Sequence, residues 1–228
     1  MISKHGLREK LKQVSLDAAV FELQVLLGEV SFGELAAAIL EIGEQAGEWL
    51  ARSLLEIAPH EWEHFLADAF LSESGATELR ERAGRYLREC SSGPVTISRV
   101  QSAIREERLA CPLLREAIYV LDAMVLAKEV QENEELRSLV MKVLQSNQEE
   151  VLLAVINLLD SLGSEWALDR LFDLTNRGTL ELRTTAIHRL GQFDHESAKR
   201  YLQDISRNGE PTMRQMALEI LQSSSSDR

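Results

Sequence analysis

His60-Glu61-Trp62-Glu63-His64 is the segment whose residue types and spacing come nearest to a reactive pattern. On a helix, the two histidines fall one turn apart on one face, where they can hold a zinc ion with Glu61 beside them as general base. The surroundings argue against that chemistry. Pro59 directly precedes His60, so the motif occupies the first turn of a helix, where proline is well tolerated. Glu63 adds a charge inside the motif. Ala67 and Phe70 stand where a third histidine would follow, and Gly84 where a downstream acidic ligand would be sought. Acidic residues are favourable near a helix N-terminus in any case, and Trp62, Phe65, Leu66 and Phe70 supply the apolar contacts of a core-facing side. The sequence therefore predicts no metal and no other cofactor, with His60 and His64 as the candidate pair should a metal bind.

The other chemistry-bearing residues are scattered. His188 and His195 have no cysteine or histidine at ligand spacing and are expected to face solvent or cap a helix. Cys90 and Cys111 lack a C-x-x-C partner and read as structural, reduced thiols. The chain contains no nucleophile elbow, phosphate-binding loop or dinucleotide glycine fingerprint. These observations point away from an enzyme.

The formal charge of −12 is evenly spread, with 12 Lys/Arg against 18 Asp/Glu in residues 1–110 and 13 against 19 in residues 111–228. Neither half offers the basic footprint that a nucleic acid requires. An acidic surface suits a protein partner with a basic surface or segment. No apolar run reaches the roughly 18 residues of a membrane span, and the first residues lack a secretory apolar stretch. A cytoplasmic protein is expected.

Leu, Ala, Glu and Arg dominate, with only four prolines and 5% aromatics, so the reading is all-α. Apolar spacing of helical period predicts helices over 5–13, 16–30, from the cap at Ser31 to about 57, then 59–72, 77–90, 96–109, 112–128, 133–145, 149–161, 165–175, 180–191, 196–206 and 211–222. Ser31 and Glu34 form a capping box, and Gly43 and Gly47 are candidate breaks in the helix that follows. Glu34, Glu41, Glu44 and Glu48 fall within about one third of the helix circumference and form an acidic stripe. It reads as a solvated face or, alternatively, as a docking ridge for a basic helix or tail.

The last third repeats with a period of 31 residues: Val151/Leu182/Met213, Val155/Ala186/Ala217, Ile156/Ile187/Leu218 and Leu159/Leu190/Leu221, extended by Ala167/Ala198, Leu171/Leu202 and Gly178/Gly209. Such a period marks stacked units, each too small to bury its apolar face alone. Within it, Leu182-Arg183-x-x-Ala186-x-x-x-Leu190 recurs from Met213, and out of register from Leu79 and Leu136. The alanine admits a neighbouring helix closely, while the two glycines suit left-handed helix ends. The tail from Ser223 to Arg228 is expected to be unstructured.

Two short antiparallel helices per 31 residues, with L-R-x-x-A-x-x-x-L on the first, resemble HEAT-like repeats of the short kind found in phycobilisome-lyase-type proteins. The resemblance is clear over 151–222, weaker over 77–145, and departs where Thr179-Leu180-Glu181 replaces the Asp-Pro type of dipeptide before the arginine. It implies a right-handed α-solenoid, with residues 1–75 as a helical capping region, 76–222 as repeats and 223–228 as tail. It also implies that second helices line a concave face, where Asp169, Arg170, Asp173, Arg200, Tyr201 and Asp204 would project. The function expected is a non-enzymatic adaptor or scaffold binding another protein there. The alternatives are a phycobilisome-lyase-like factor maturing a chromophore or client protein, and a HEAT-like nucleic-acid repair enzyme.

Overall fold

The computed structural model describes residues 2–42, 44–90 and 93–226. Among these there are fourteen α-helices, one 3₁₀ turn (Leu16–Ala18) and no strand. The chain divides into two compact units, Met1–Glu129 and Val130–Arg228.

The first unit contains α1 (Lys4–Gln13), α2 (Ala19–Leu27), α3 (Phe32–Glu41), α4 (Glu44–Ile57), α5 (Pro59–Leu71), α6 (Thr77–Leu87), α7 (Pro94–Arg105) and α8 (Cys111–Leu126). Odd helices pack on odd ones, α1 on α3, α3 on α5 and α5 on α7, while α2 packs on α4 and α6 on α8. The helix expected from Ser31 to about 57 is two helices. Ile42 takes an extended backbone after α3, where Arg82 donates from Nη1 to the Leu40 carbonyl at 2.6 Å and the Ile42 carbonyl at 2.7 Å. These bonds satisfy carbonyls that a helix end leaves without partners. Gly43 lies outside the described residues. Gly47 is no break: it sits inside α4, where a Cβ would lie 2.7 Å from the Tyr86 hydroxyl.

The second unit contains α9 (Glu134–Val143), α10 (Glu149–Leu162), α11 (Glu165–Leu174), α12 (Leu180–Gln192), α13 (Glu196–Asn208) and α14 (Pro211–Ser226). Helix α10 packs on α12 and α12 on α14, while α11 packs on α13, giving a layer of first helices and a layer of second helices. Val155, Ala186 and Ala217 occupy equivalent positions on α10, α12 and α14, each without exposed surface. Full burial of each core leucine contributes about 1.5–3 kcal/mol, and Leu159, Leu171, Leu182 and Leu190 are all buried. The 31-residue register is thus a packing register, and this unit is an all-α solenoid segment of antiparallel pairs.

Three details of the repeat differ from expectation. The Leu136 copy of the motif lies on α9, whose Arg137 guanidinium sits 5.5 Å from the centre of the Trp166 ring on α11. It therefore stands beside a second helix, while the copies on α12 and α14 form the first layer; any amphipathic helix generates that spacing. Gly178 is left-handed at φ 80°, but Gly209 is not, at φ −70°. Gly209 is required by space instead, since a Cβ there would meet the Ile205 carbonyl oxygen at 2.6 Å. The second left-handed glycine is Gly163, capping α10 at φ 61°. Helix α14 continues through Ser226, into the stretch expected to be unstructured; 227–228 lie outside the described residues.

Candidate functional site

Local sequence places the second helices firmly. The Ser164 hydroxyl accepts from the Ala167 amide to start α11, and His195 Nδ1 accepts from the Ser197 amide to start α13, each satisfying an otherwise orphaned donor. Leu168, Leu171, Leu174, Leu202 and Ile205 then bury one side of the pair. The opposite and lateral sides carry the six residues expected from the sequence.

Those six do not form one cluster. Tyr201 donates its hydroxyl to Asp169 Oδ1, and its ring stacks on Phe172 with centroids 4.4 Å apart and planes 14° apart. Receipt of that hydrogen bond by a carboxylate, followed by burial, pushes the Tyr201 phenol up to about 12. Arg170 pairs with Asp173 along α11 at 3.0 Å. Arg200 donates to the Ser197 hydroxyl at 2.9 Å, and Ser197 in turn donates to Glu165 Oε1 at 3.0 Å. Asp204 accepts from the Asn208 amide at 2.7 Å. Asp173 and Asp204 remain exposed, whereas Asp169, Arg170 and Tyr201 are half-buried.

Phe172, Trp166, Glu165 and Ser197 were not among the sequence candidates, although they bind the layer together. The missed signal is an offset of 32 residues. Glu165–Ser197, Asp169–Tyr201 and Asn157–Arg189 are all 32 apart. A 31-residue step pairs equivalent residues, but a side chain leaning across to the next helix meets its neighbour one position further on.

The histidine segment has a structural role. Trp62 and Glu63 are buried in α5, while His60, Glu61 and His64 are exposed in its first turns. Glu63 Oε1 accepts from the Gly93 amide at 2.9 Å at the start of α7. Among the described residues, no group of three or more His, Cys, Asp or Glu side chains is placed to hold a metal ion.

Cys90 is buried, and its thiol is pushed up to about 12, chiefly by burial and then by Glu63, Glu89 and Glu129. Cys111 is a free, half-buried thiol. His188 is exposed and His195 caps α13, as expected. The acidic stripe does not exist as such, because α3 and α4 are separate. Glu34 closes the capping box with Ser31, Glu41 binds Lys4 and Arg8, and the Glu44 side chain lies outside the described residues.

In the second unit, antiparallel helix pairs stacked first on first and second on second with a fixed period define an all-α helical-repeat architecture. No family model matches the sequence, and no curated protein matches it. Among solved structures the chain is similar to the crystal structure of the archaeal HEAT-like repeats protein from Thermococcus onnurineus NA1, at 19% identity over 96% of each chain, with a TM-score of 0.47. The architecture stated above rests on this chain's own packing.

Proposed function

We infer that this chain is a non-enzymatic cytoplasmic adaptor, and that the second helices α11 and α13 receive a protein partner through a basic segment. The observation carrying this reading is the stacked Phe172–Tyr201 pair, half-buried between two helices whose exposed sides present Asp173 and Asp204. A rigid aromatic surface supplies contact area at low entropic cost, and tyrosine is a favoured anchor at interfaces. Asp173 is already held by Arg170 and Asp204 by Asn208, so an incoming lysine or arginine meets carboxylates oriented in advance. The net charge of −12 supplies long-range attraction for such a partner.

The test is affinity capture at low salt, identification of the bound protein, and titration of that protein against the double substitution Asp173→Lys/Asp204→Lys. The expected result is affinity reduced at least about tenfold with helicity unchanged, since charge reversal at an interface adds repulsion to lost attraction. Binding that survives the reversal discards this surface.

A further inference from the structure

Aromatic and acidic residues spaced by three show how this chain holds a guanidinium. Residues three apart are neighbours on one side of a helix. On α8, Glu116 and Tyr119 together hold Arg88 from the end of α6, which donates to the carboxylate and lies over the ring, 4.5 Å from its centre. On α5, Asp68 stands three residues after Phe65 and binds Arg99 of α7 at 2.7 Å. At the end of α6, Glu89 stands three residues after Tyr86 and binds Arg52 of α4 at 3.0 Å. In each case the arginine comes from another helix.

Tyr201 and Asp204 repeat that spacing on α13, and no arginine reaches them. Among the described residues Asp204 has no ion-pair partner and accepts only from the Asn208 amide of its own helix. Neither arginine within one turn of it pairs with it: Arg200 donates to Ser197 at 2.9 Å, and Arg207 forms no ion pair among the described residues. Lys199 is held by Asp194 at 2.7 Å. Asp204 is exposed and Tyr201 half-buried. Phe172 stacks on one face of the Tyr201 ring while Asp169 takes its hydroxyl, so the ring is fixed before any ligand arrives and little ordering remains to be done.

We propose that Tyr201 and Asp204 seat an arginine of the partner, its guanidinium over the ring face opposite Phe172 and bonded to the Asp204 carboxylate. This rests on the reading of α11 and α13 as the partner surface, and it narrows the basic segment to one that presents arginine. A guanidinium is planar, weakly hydrated and forked, so it stacks on a ring and bonds a carboxylate at once. A lysine ammonium is a compact, strongly hydrated charge that gains less from the ring.

Two short peptides of equal charge, one alternating arginine with glycine and the other lysine with glycine, separate the two cations. They are titrated calorimetrically into the full chain at low salt, about 50 mM, where attraction between charges is little screened. The arginine peptide should bind about fivefold more tightly. Tyr201→Leu should bring that ratio to about one, whereas Tyr201→Phe, which keeps the ring, should preserve it, both with unchanged far-UV circular dichroism. Equal binding of the two peptides, lost on Asp173→Lys/Asp204→Lys, overturns the arginine seat and leaves the surface on α11 and α13 standing. An arginine preference that survives Tyr201→Leu overturns the seat as well, because the guanidinium is then recognised elsewhere. Absence of binding by either peptide, or binding untouched by the charge reversal, overturns both readings.

Discussion

In the first unit, Ala58, Ala76, Gly93 and Ala110 stand at the starts of α5, α6, α7 and α8, and none supplies a side-chain cap. In the second, Asn133, Ser164, Thr179 and His195 each accept a hydrogen bond from the helix they begin. That capping division is partial, since Ser3 and Ser31 cap α1 and α3 while Gln148 does not cap α10. The buried charged residues among those described, Glu63, Arg82 and Glu116, nevertheless all lie in the first unit. Glu63 reaches across from α5 to the Gly93 amide, and Arg82 reaches from α6 to the end of α3. Glu116 is bound by Arg88. A regular repeat can end its helices locally, at equivalent positions, with short side chains. Helices of uneven length that end inside the structure need long charged side chains from elsewhere, and those must be fully satisfied to be tolerated.

The largest effect on this contrast is expected from Arg82→Met. It fills the space but leaves the buried Leu40 and Ile42 carbonyls without a donor, at a cost of about 3 kcal/mol or more. Denaturant unfolding followed by tryptophan fluorescence measures it. The rate of Cys90 alkylation, slow in the native protein because the thiol is buried and its pKa is raised, should increase by about a hundredfold if local opening controls access. A loss under about 1 kcal/mol would place the first unit on the same footing as the second.

Overpacking the regular stack should cost less, about 1–3 kcal/mol. Gly191→Ala puts a Cβ 2.6 Å from Ile220 Cγ2 where α12 meets α14, and Ala186→Leu inserts three heavy atoms at a position without exposed surface. Thermal unfolding reads both. Equal insensitivity at the two sites would show that the 31-residue register is not close-packed.

Tyr201→Phe should cost no more than about 1 kcal/mol near neutral pH, the range of one part-exposed hydrogen bond. The folded phenol titrates near 12, above its ordinary value of 10. The contribution of the bond to stability is therefore complete below pH 10 and lost as pH rises from about 10 to about 12. The difference between wild type and Tyr201→Phe should shrink across that window; a constant difference would mean that the ring stack, rather than the hydroxyl, joins α11 to α13.

The smallest effect is a gain. Glu107 at φ 57° and Lys128 at φ 62° occupy left-handed positions after α7 and α8. There the Arg108 amide reaches the Ala103 carbonyl and the Glu129 amide reaches the Met124 carbonyl. Glycine removes the Cβ strain, offset in part by unfolded-state entropy, so Glu107→Gly and Lys128→Gly should each stabilise by up to about 1 kcal/mol. Both sites end helices of the first unit without glycine, whereas Gly163 ends α10 in the second.

Helix positions, the capping box and the close-packed alanines were legible in the sequence, because apolar period and cap chemistry are local properties of consecutive residues. The break after Glu41 was only half visible. The group that satisfies the carbonyls there, Arg82, lies about forty residues further along the chain, and nothing in the spacing of an arginine reveals that its guanidinium will be buried on two carbonyls. Glu63 shows the same limit: read along the chain it belongs to a metal-binding motif, and in space it closes a neighbouring helix.

The surface on α11 and α13 was legible as a set of residue types and not as a set of partners. A 31-residue register announces which positions are equivalent, since equivalent burial demands equivalent side chains. Which atoms meet depends on how adjacent helices are offset, so Tyr201 found Asp169 and Phe172 instead of the residue one period away. The sequence by itself determined where helices form and which of their sides turn inward, through propensity and apolar periodicity. Only tertiary packing decided which buried polar groups were paired and which apolar side, that of Phe21, was left facing outward, because both follow from what lies across a contact rather than along the chain.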